Sequence, residues 1–170
     1  MPIRQALRLN FYIHPYRGTY SMKKLRFFFA TATMLLAGQV MANTCELEIS
    51  ANDQLQYDKQ ELVVASDCEK VTLTLKHTGQ LKVEQMGHNW VVATDTDWQA
   101  LAQEGMQHGL DNDYLPPGDE RVIVHTDMIG GGESSSLTFD VAKFEKGGNY
   151  TFFCSFPGHW AVMKGKLVIE

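Results

Sequence analysis

Cys154, His159 and Met163 stand five and four residues apart near the C-terminal end of the chain. Ser155-Phe156-Pro157-Gly158 fills the first gap, and Pro157-Gly158 is a turn signal. One tight loop therefore projects a thiol, an imidazole and a thioether toward one point. A second imidazole, His88, sits in Met86-Gly87-His88-Asn89, where Gly87 lets the backbone approach closely. Thiolate and thioether donors are soft and select copper or zinc, and imidazole suits both. Two His, one Cys and a weak, distant Met make the trigonal set that handles copper in both oxidation states. Zinc more often takes a fourth strong ligand and has no use for a thioether. A cysteine nucleophile would need a base, an orienting group and an oxyanion hole. His159 could be that base, but Met163 would then have no part. A lone Cys on an inward strand face can also be a small buried hydrophobe. The four donor types at loop positions flanking strands favour the metal.

The elements that must position these groups read as β-strands. Val71-Thr72-Leu73-Thr74-Leu75 alternates with period two and puts Val71, Leu73 and Leu75 on one face. Residues 137–141 and 150–154 repeat the pattern, the latter placing Tyr150, Phe152 and Cys154 together. Residues 46–50, 61–65, 90–93, 121–125 and 165–169 complete a set of about eight strands. Asn52-Asp53, Pro116-Pro117-Gly118, Gly130-Gly131-Gly132 and Gly147-Gly148-Asn149 mark turns between them. Short strands with such turns predict an all-β sandwich or barrel. One segment differs. Residues 96–107 predict a short helix inserted between strands, with Trp98, Leu101, Ala102 and Met106 on one side, ending near Gly109.

Charge divides the chain in two. Lys and Arg number 15 against 20 Asp and Glu, a net charge of -5. Residues 1–42 hold six basic and no acidic residues, so residues 43–170 carry -11. That acidic balance argues against a general nucleic-acid binder. Met22 is followed by Lys23, Lys24 and Arg26, an apolar stretch over 27–37, and Gln39-Val40-Met41-Ala42. This is the pattern of a secretory signal peptide cleaved after Ala42. Its apolar stretch is too short to span a bilayer. Residues 1–21 show no clear period and read either as an upstream extension, with translation starting at Met22, or as a long n-region of the signal peptide. Export permits a disulfide. A Cys45–Cys68 bridge would clamp the first strand to its neighbour and constrain the unfolded chain by roughly 3 kcal/mol. Cys154 is then the thiol without a partner.

The segment from Asn149 through Cys154-Ser155-Phe156-Pro157-Gly158-His159, followed by Met163-Lys164-Gly165, resembles the copper loop of the azurins. Met86-Gly87-His88-Asn89-Trp90 is similar to their other histidine segment, and Phe139-Asp140-Val141, Arg121-Val122-Ile123 and the Cys45 and Cys68 pair also match. The resemblance covers essentially all of residues 43–170. It implies an eight-stranded Greek-key sandwich, the cupredoxin fold, with one type 1 copper. His88, Cys154 and His159 would be the equatorial ligands and Met163 the long axial one, with the Gly87 carbonyl opposite. Asn89 and the Phe156 amide would donate hydrogen bonds to the Cys154 sulfur. Leu55, Met86, Phe156, Pro157, Gly158, Ala161 and Val162 would surround His159 as an apolar docking patch. Trp160 departs from the family, which generally has a small residue there, and is expected to enlarge that patch. Glu84 and Gln85 make the patch's margin more polar than usual.

The function that follows is a periplasmic, monomeric carrier of single electrons rather than an enzyme. Its transient partners would be c-type cytochromes or copper-containing reductases. A copper chaperone or storage protein is the alternative, although only four Met lie in 43–170 and no Met-rich or His-rich cluster appears. His77 matches a non-ligand family histidine and is expected to be partly buried on a strand end. His125 reads as structural, His108 as a solvated group near the helix end, and Trp90 as core.

Overall fold

The computed structural model describes residues 43–170, together with the isolated Pro15. The expected signal peptide and upstream extension lie outside the described residues. Among the described residues, nine strands form two sheets. They are β1 (Thr44–Asn52), β2 (Gln56–Tyr57), β3 (Glu61–Val64), β4 (Lys70–His77), β5 (Val91–Thr94), β6 (Val124–His125), β7 (Ser134–Asp140), β8 (Tyr150–Phe153) and β9 (Lys164–Ile169). One sheet runs β2-β1-β4-β7 and the other β3-β9-β8-β5-β6. β1 pairs with β4 in parallel, Thr44 opposite Lys70 through Ala51 opposite His77. β3 pairs with β9 in parallel, and the other pairs are antiparallel. All eight predicted strands are present. The two-residue β2 is an addition that the sequence pattern does not mark.

Alternation decides what each sheet buries. Val71, Leu73 and Leu75 of β4 are fully buried, and Ile49 of β1 and Phe139 of β7 lie on the same inner side. They meet Leu62, Val64, Trp90, Val92, Phe152, Leu167 and Ile169 from the other sheet in one core. Trp90 is wholly buried, as expected.

β5 and β8 break the period-two rule. Val91, Val92 and Ala93 are all buried, and so are all four residues of β8. Strands covered on both faces read as continuous apolar runs. The cover is helix α2 (Trp98–Gly105), which lays Leu101 and Ala102 over Val91, Ala93 and Phe153 in a second cluster. The predicted helix is thus present but shorter, and Met106 falls outside its buried side at 42% exposure.

Other differences are local. The predicted strand over 121–125 shrinks to Val124–His125 because Arg121 folds back on Asp119. The Asp119 carboxylate accepts from the Arg121 backbone N–H at 2.9 Å and from its Nε at 3.0 Å. That guanidinium holds the Asp119 carboxyl down to about 2. A single-turn helix α1 (Val83–Met86) and three 3₁₀ turns, Leu110–Asn112, Val141–Lys143 and His159–Ala161, occupy stretches read as loop. Among the described residues no helix is long and apolar enough to cross a membrane.

Cys45 and Cys68 are bridged, their Cα atoms 5.7 Å apart. The bridge ties β1 to the turn before β4. Replacing both cysteines by serine is expected to keep the fold and lower unfolding free energy by about 3 kcal/mol, on loop entropy. Urea titration checks this, and an unchanged midpoint would show that the bridge adds nothing.

Candidate metal centre

The last two strands of the second sheet, β8 and β9, are joined by the loop that carries Cys154, His159 and Met163. The Cys154 backbone N–H donates to the Met163 carbonyl at 3.1 Å, closing the loop at its base. The His159 N–H donates to the Phe156 carbonyl at 3.0 Å and the Met163 N–H to the His159 carbonyl at 2.8 Å. Gly158 makes the turn possible with a left-handed φ of 83°, which costs a residue without Cβ little. His88 arrives from the other side. Its backbone pairs with Ile129 by reciprocal bonds of 3.0 and 2.9 Å. Gly87 before it has no room for a side chain, since a Cβ would stand 2.6 Å from the Val83 carbonyl oxygen.

These two approaches bring three donors together. The Cys154 sulfur lies 3.7 Å from His159 Nδ1, 3.8 Å from His88 Nδ1 and 3.8 Å from the Gly87 carbonyl oxygen. All three side chains are buried. A thiolate and an imidazole bound at about 120° to one transition-metal ion stand about 3.7 Å apart, from metal–sulfur and metal–nitrogen bonds of about 2.3 and 2.0 Å. The donor separations fit an ion at the centre of the three. Met163 is fully buried at the loop's base.

The surroundings orient each donor. His88 Nε2 lies 2.9 Å from the Asn52 carbonyl oxygen. An N–H there leaves Nδ1 as the lone-pair nitrogen facing the sulfur. The His88 ring packs against His77 at 4.4 Å and His159 at 5.1 Å between centroids. His77 is 2% exposed, more deeply buried than the sequence reading expects. Its Nε2 lies 2.9 Å from the Met86 carbonyl oxygen, and its Nδ1 accepts the Gly79 N–H at 3.0 Å. His125 stays on the surface. His108 lies beyond α2, where its carbonyl accepts from Asn112 at 2.9 Å.

Burial also sets protonation. It pushes the Cys154 thiol up to about 12, although the backbone N–H groups of Asn89 and Phe156 favour its anion. These are the two donors expected to face the sulfur. Burial pushes both imidazoles the other way, His88 and His159 each down to about 4. Tyr57, also raised by burial, donates its hydroxyl to the Asn89 carbonyl.

Residues that the sequence reading missed lock the two approaches. The Asn89 side chain donates to the Ser155 hydroxyl at 2.7 Å and accepts the Ser155 N–H at 2.9 Å. The Ser155 hydroxyl donates onward to the Asp113 carbonyl. Asp113 and Tyr114 both take left-handed backbone angles, and Tyr114 packs edge-on to Phe156 at 5.3 Å. A hydroxyl residue directly after Cys154 was the available signal for Ser155. Nothing local in the sequence marks Asp113.

The expected patch residues are of mixed exposure. Leu55, Met86, Phe156 and Pro157 are half-buried, and Gly158, Ala161 and Val162 are exposed, Val162 to 65%. Trp160 is half-buried and packs on the second cluster against Trp98, 6.3 Å between centroids.

Residues 43–170 match the family model of copper binding proteins, the plastocyanin/azurin family. The chain belongs to the plastocyanin/azurin family. The azurin of Bordetella pertussis is 53% identical over 128 residues, 75% of this chain and 85% of that protein. The azurin of Pseudomonas aeruginosa is 47% identical over 136 residues, 80% and 92% of the two chains. Among solved structures, the azurin Az-iso2 of Methylomonas sp. strain J superposes with a TM-score of 0.72 at 40% identity. That match covers 74% of this chain and 98% of the other. The all-β fold with a short helix is the cupredoxin fold. Copper is the family's metal, and the His88, Cys154 and His159 group fits a single copper site.

The depressed imidazoles predict a pH dependence for the metal-free protein. An unfolded histidine takes up its proton near pH 6.5. Between about pH 6.5 and about 4 the unfolded chain binds more protons, so stability is complete above that window and falls as pH drops through it. The slope is expected to reach about 1.4 kcal/mol per pH unit for each imidazole. Urea midpoints of metal-free protein at pH 7 and 5 decide this, and equal midpoints would contradict it.

Proposed function

We propose that this chain is a type 1 copper protein that carries single electrons between redox partners in the periplasm. One observation carries the reading. Three buried donors converge at metal-sized separations, and hydrogen bonds to the scaffold already aim them. In this reading His88, Cys154 and His159 would hold the ion, and Met163 and the Gly87 carbonyl would serve as further, weaker donors. Copper, when bound, supplies a Cu(II)/Cu(I) couple.

The chain's own contribution is to hold still. A trigonal site with a weak axial donor suits both oxidation states, so little has to move when an electron arrives. Each donor here is restrained by a neighbour. The Asn52 carbonyl holds the His88 ring, and Phe156 packs on the His159 ring at 4.4 Å. The Asn89 and Phe156 amides hold the Cys154 sulfur and tune how strongly it donates. A chaperone must hand its ion over and needs accessible donors. Here Cys154 and His88 have no exposed surface, which favours a carrier over a chaperone or store.

His159, 5% exposed, is the donor nearest solvent and the proposed electron exit. Phe156, Pro157, Gly158, Ala161 and Val162 beside it, with Leu55 and Met86, form the proposed docking patch. Redox encounters use small interfaces of this kind. The net charge of -11 on 43–170 favours partners with a basic rim. Cytochromes of the c type and copper-containing reductases are the proposed partners of a monomer. Residues 1–42 are the proposed signal peptide, removed after Ala42.

Two measurements test this. Copper-loaded protein is expected to be intensely blue when oxidised and to give a reversible one-electron voltammetric wave. Cys154→Ser is expected to lose the colour, and a blue Cys154→Ser variant would refute the ligand set. Loading at pH 7 is also expected to release about one proton per copper. The thiol must lose its proton to bind, while both imidazoles are already neutral. Calorimetry in buffers of different ionisation enthalpy counts that proton, and a release of none would mean that the sulfur is not a ligand.

A further inference from the structure

Trp98, the first residue of α2, has no part in the site described above. Three contacts nevertheless converge on its indole. The Phe153 ring lies 6.0 Å away between centroids, and the Trp160 ring meets it edge-on at 6.3 Å. Lys164 Nζ stands 4.8 Å from the ring centroid, within cation–π range. Each of these residues is the chain neighbour of a proposed ligand. Phe153 precedes Cys154, Trp160 follows His159, and Lys164 follows Met163. One side chain, delivered from a separate part of the chain, thus touches the neighbours of every donor on the C-terminal loop.

Its base is firm. Trp98 packs on the cluster formed by Val91, Ala93, Leu101, Ala102, Leu115 and Phe153, all at most 4% exposed. The counterpart on the loop is held by packing alone. Trp160 Nε1 is buried and has no hydrogen-bond partner among the described residues, so its ring is placed by its contact with Trp98 and the cluster. An aromatic ring restrains through shape at small entropy cost, and a flat face accepts both an edge and a cation.

We propose that Trp98 is a positioning residue of the copper loop, a common seat that fixes Cys154, His159 and Met163 relative to one another. Trp160 is its partner on the loop, which gives that residue a role inward rather than toward docked proteins. This rests on the copper reading above. The role predicts that an indole on α2, outside the ligand set, alters the metal's spectrum and its rate of escape.

The test uses copper-loaded full chain. Trp98→Ala is expected to shift the Cu(II) charge-transfer band and EPR splitting. From the size of aromatic and cation–π contacts, copper release to a chelator is expected to accelerate about tenfold. Trp98→Phe is expected to restore most of both. Trp160→Ser is expected to move them in the same direction by less, and the double variant Trp98→Ala/Trp160→Ser to add nothing beyond Trp98→Ala. Leu101→Ala opens the same cluster but keeps the indole. It is expected to lower the urea midpoint while leaving band and release rate near wild type.

Wild-type band and release rate in Trp98→Ala would overturn the role, as would a Leu101→Ala that matches Trp98→Ala in both. If Trp98→Ala does not fold, Trp160→Ser decides, and its having no effect on either readout overturns the role. A wild-type chain that takes up no copper would overturn both readings. A blue wild type with unperturbed variants overturns only this one.

Discussion

Everything in this protein serves one burial. A thiol has been enclosed with two imidazoles, none more than 5% exposed, and the enclosure opposes charge on all three. Burial pushes the thiol up to about 12 and the imidazoles down to about 4. The three groups are therefore uncharged donors at neutral pH, packed closer than water would leave them. The two amides aimed at the sulfur supply partial positive charge, which is too little to hold an anion there unaided. A cation at the centre supplies the rest. Such a cluster has no structural use of its own, since apolar residues of the same volume would pack without any desolvation cost.

The scaffold answers two demands that conflict. The donors must come from different parts of the chain, yet must not move relative to one another. Both sheets take part. Asn52, at the end of β1 in the first sheet, sets the His88 ring through its carbonyl. The second sheet carries the Cys154 loop between β8 and β9. The Asn89–Ser155 pair then crosses from one approach to the other with two hydrogen bonds, fastening them where the donors meet. Inside a low-dielectric core such reciprocal bonds are strong, and breaking either partner leaves a buried polar group unpaired. The left-handed angles at Asp113 and Tyr114 belong to the same fastening. The Asp113 carbonyl receives the Ser155 hydroxyl, and Tyr114 supports Phe156, whose N–H faces the sulfur.

Much of this was legible in the sequence, for identifiable reasons. Thiol, imidazole and thioether are chemically rare groups, so their close spacing at 154, 159 and 163 stands out from any packing pattern. The three long strands of the first sheet, β1, β4 and β7, were legible because each has one inner face, as Val71, Leu73 and Leu75 declare for β4, whereas β2 is too short to show a period. β5 was found without a face assigned and β8 was read as one-sided, because α2 covers their second face and a helix's position cannot be read from the strands beneath it. The shortening of 121–125 escaped because a side chain, Arg121, prefers its local carboxylate partner to a ladder. Ser155 is marked only by its hydroxyl next to Cys154, and Asp113 and Tyr57 carry no local pattern at all. Their importance lies in contacts 42 to 66 residues away for Ser155 and 32 away for Tyr57, and such contacts exist only once the fold is closed.

Electron transfer asks the ligand set to be rigid, but it does not dictate which residues make it so. Several different packings behind the loop can hold Cys154 and His159 equally still. In this chain bulky aromatics meet there, Trp98 on α2 and Trp160 beside His159. The pair adds apolar contact to a cluster already closed by Leu101, Ala102 and Phe153. It also leaves the Trp160 indole N–H buried without an acceptor among the described residues. An unmade hydrogen bond of this kind costs about 1–3 kcal/mol, so the ring's packing must exceed that cost for it to stay inward.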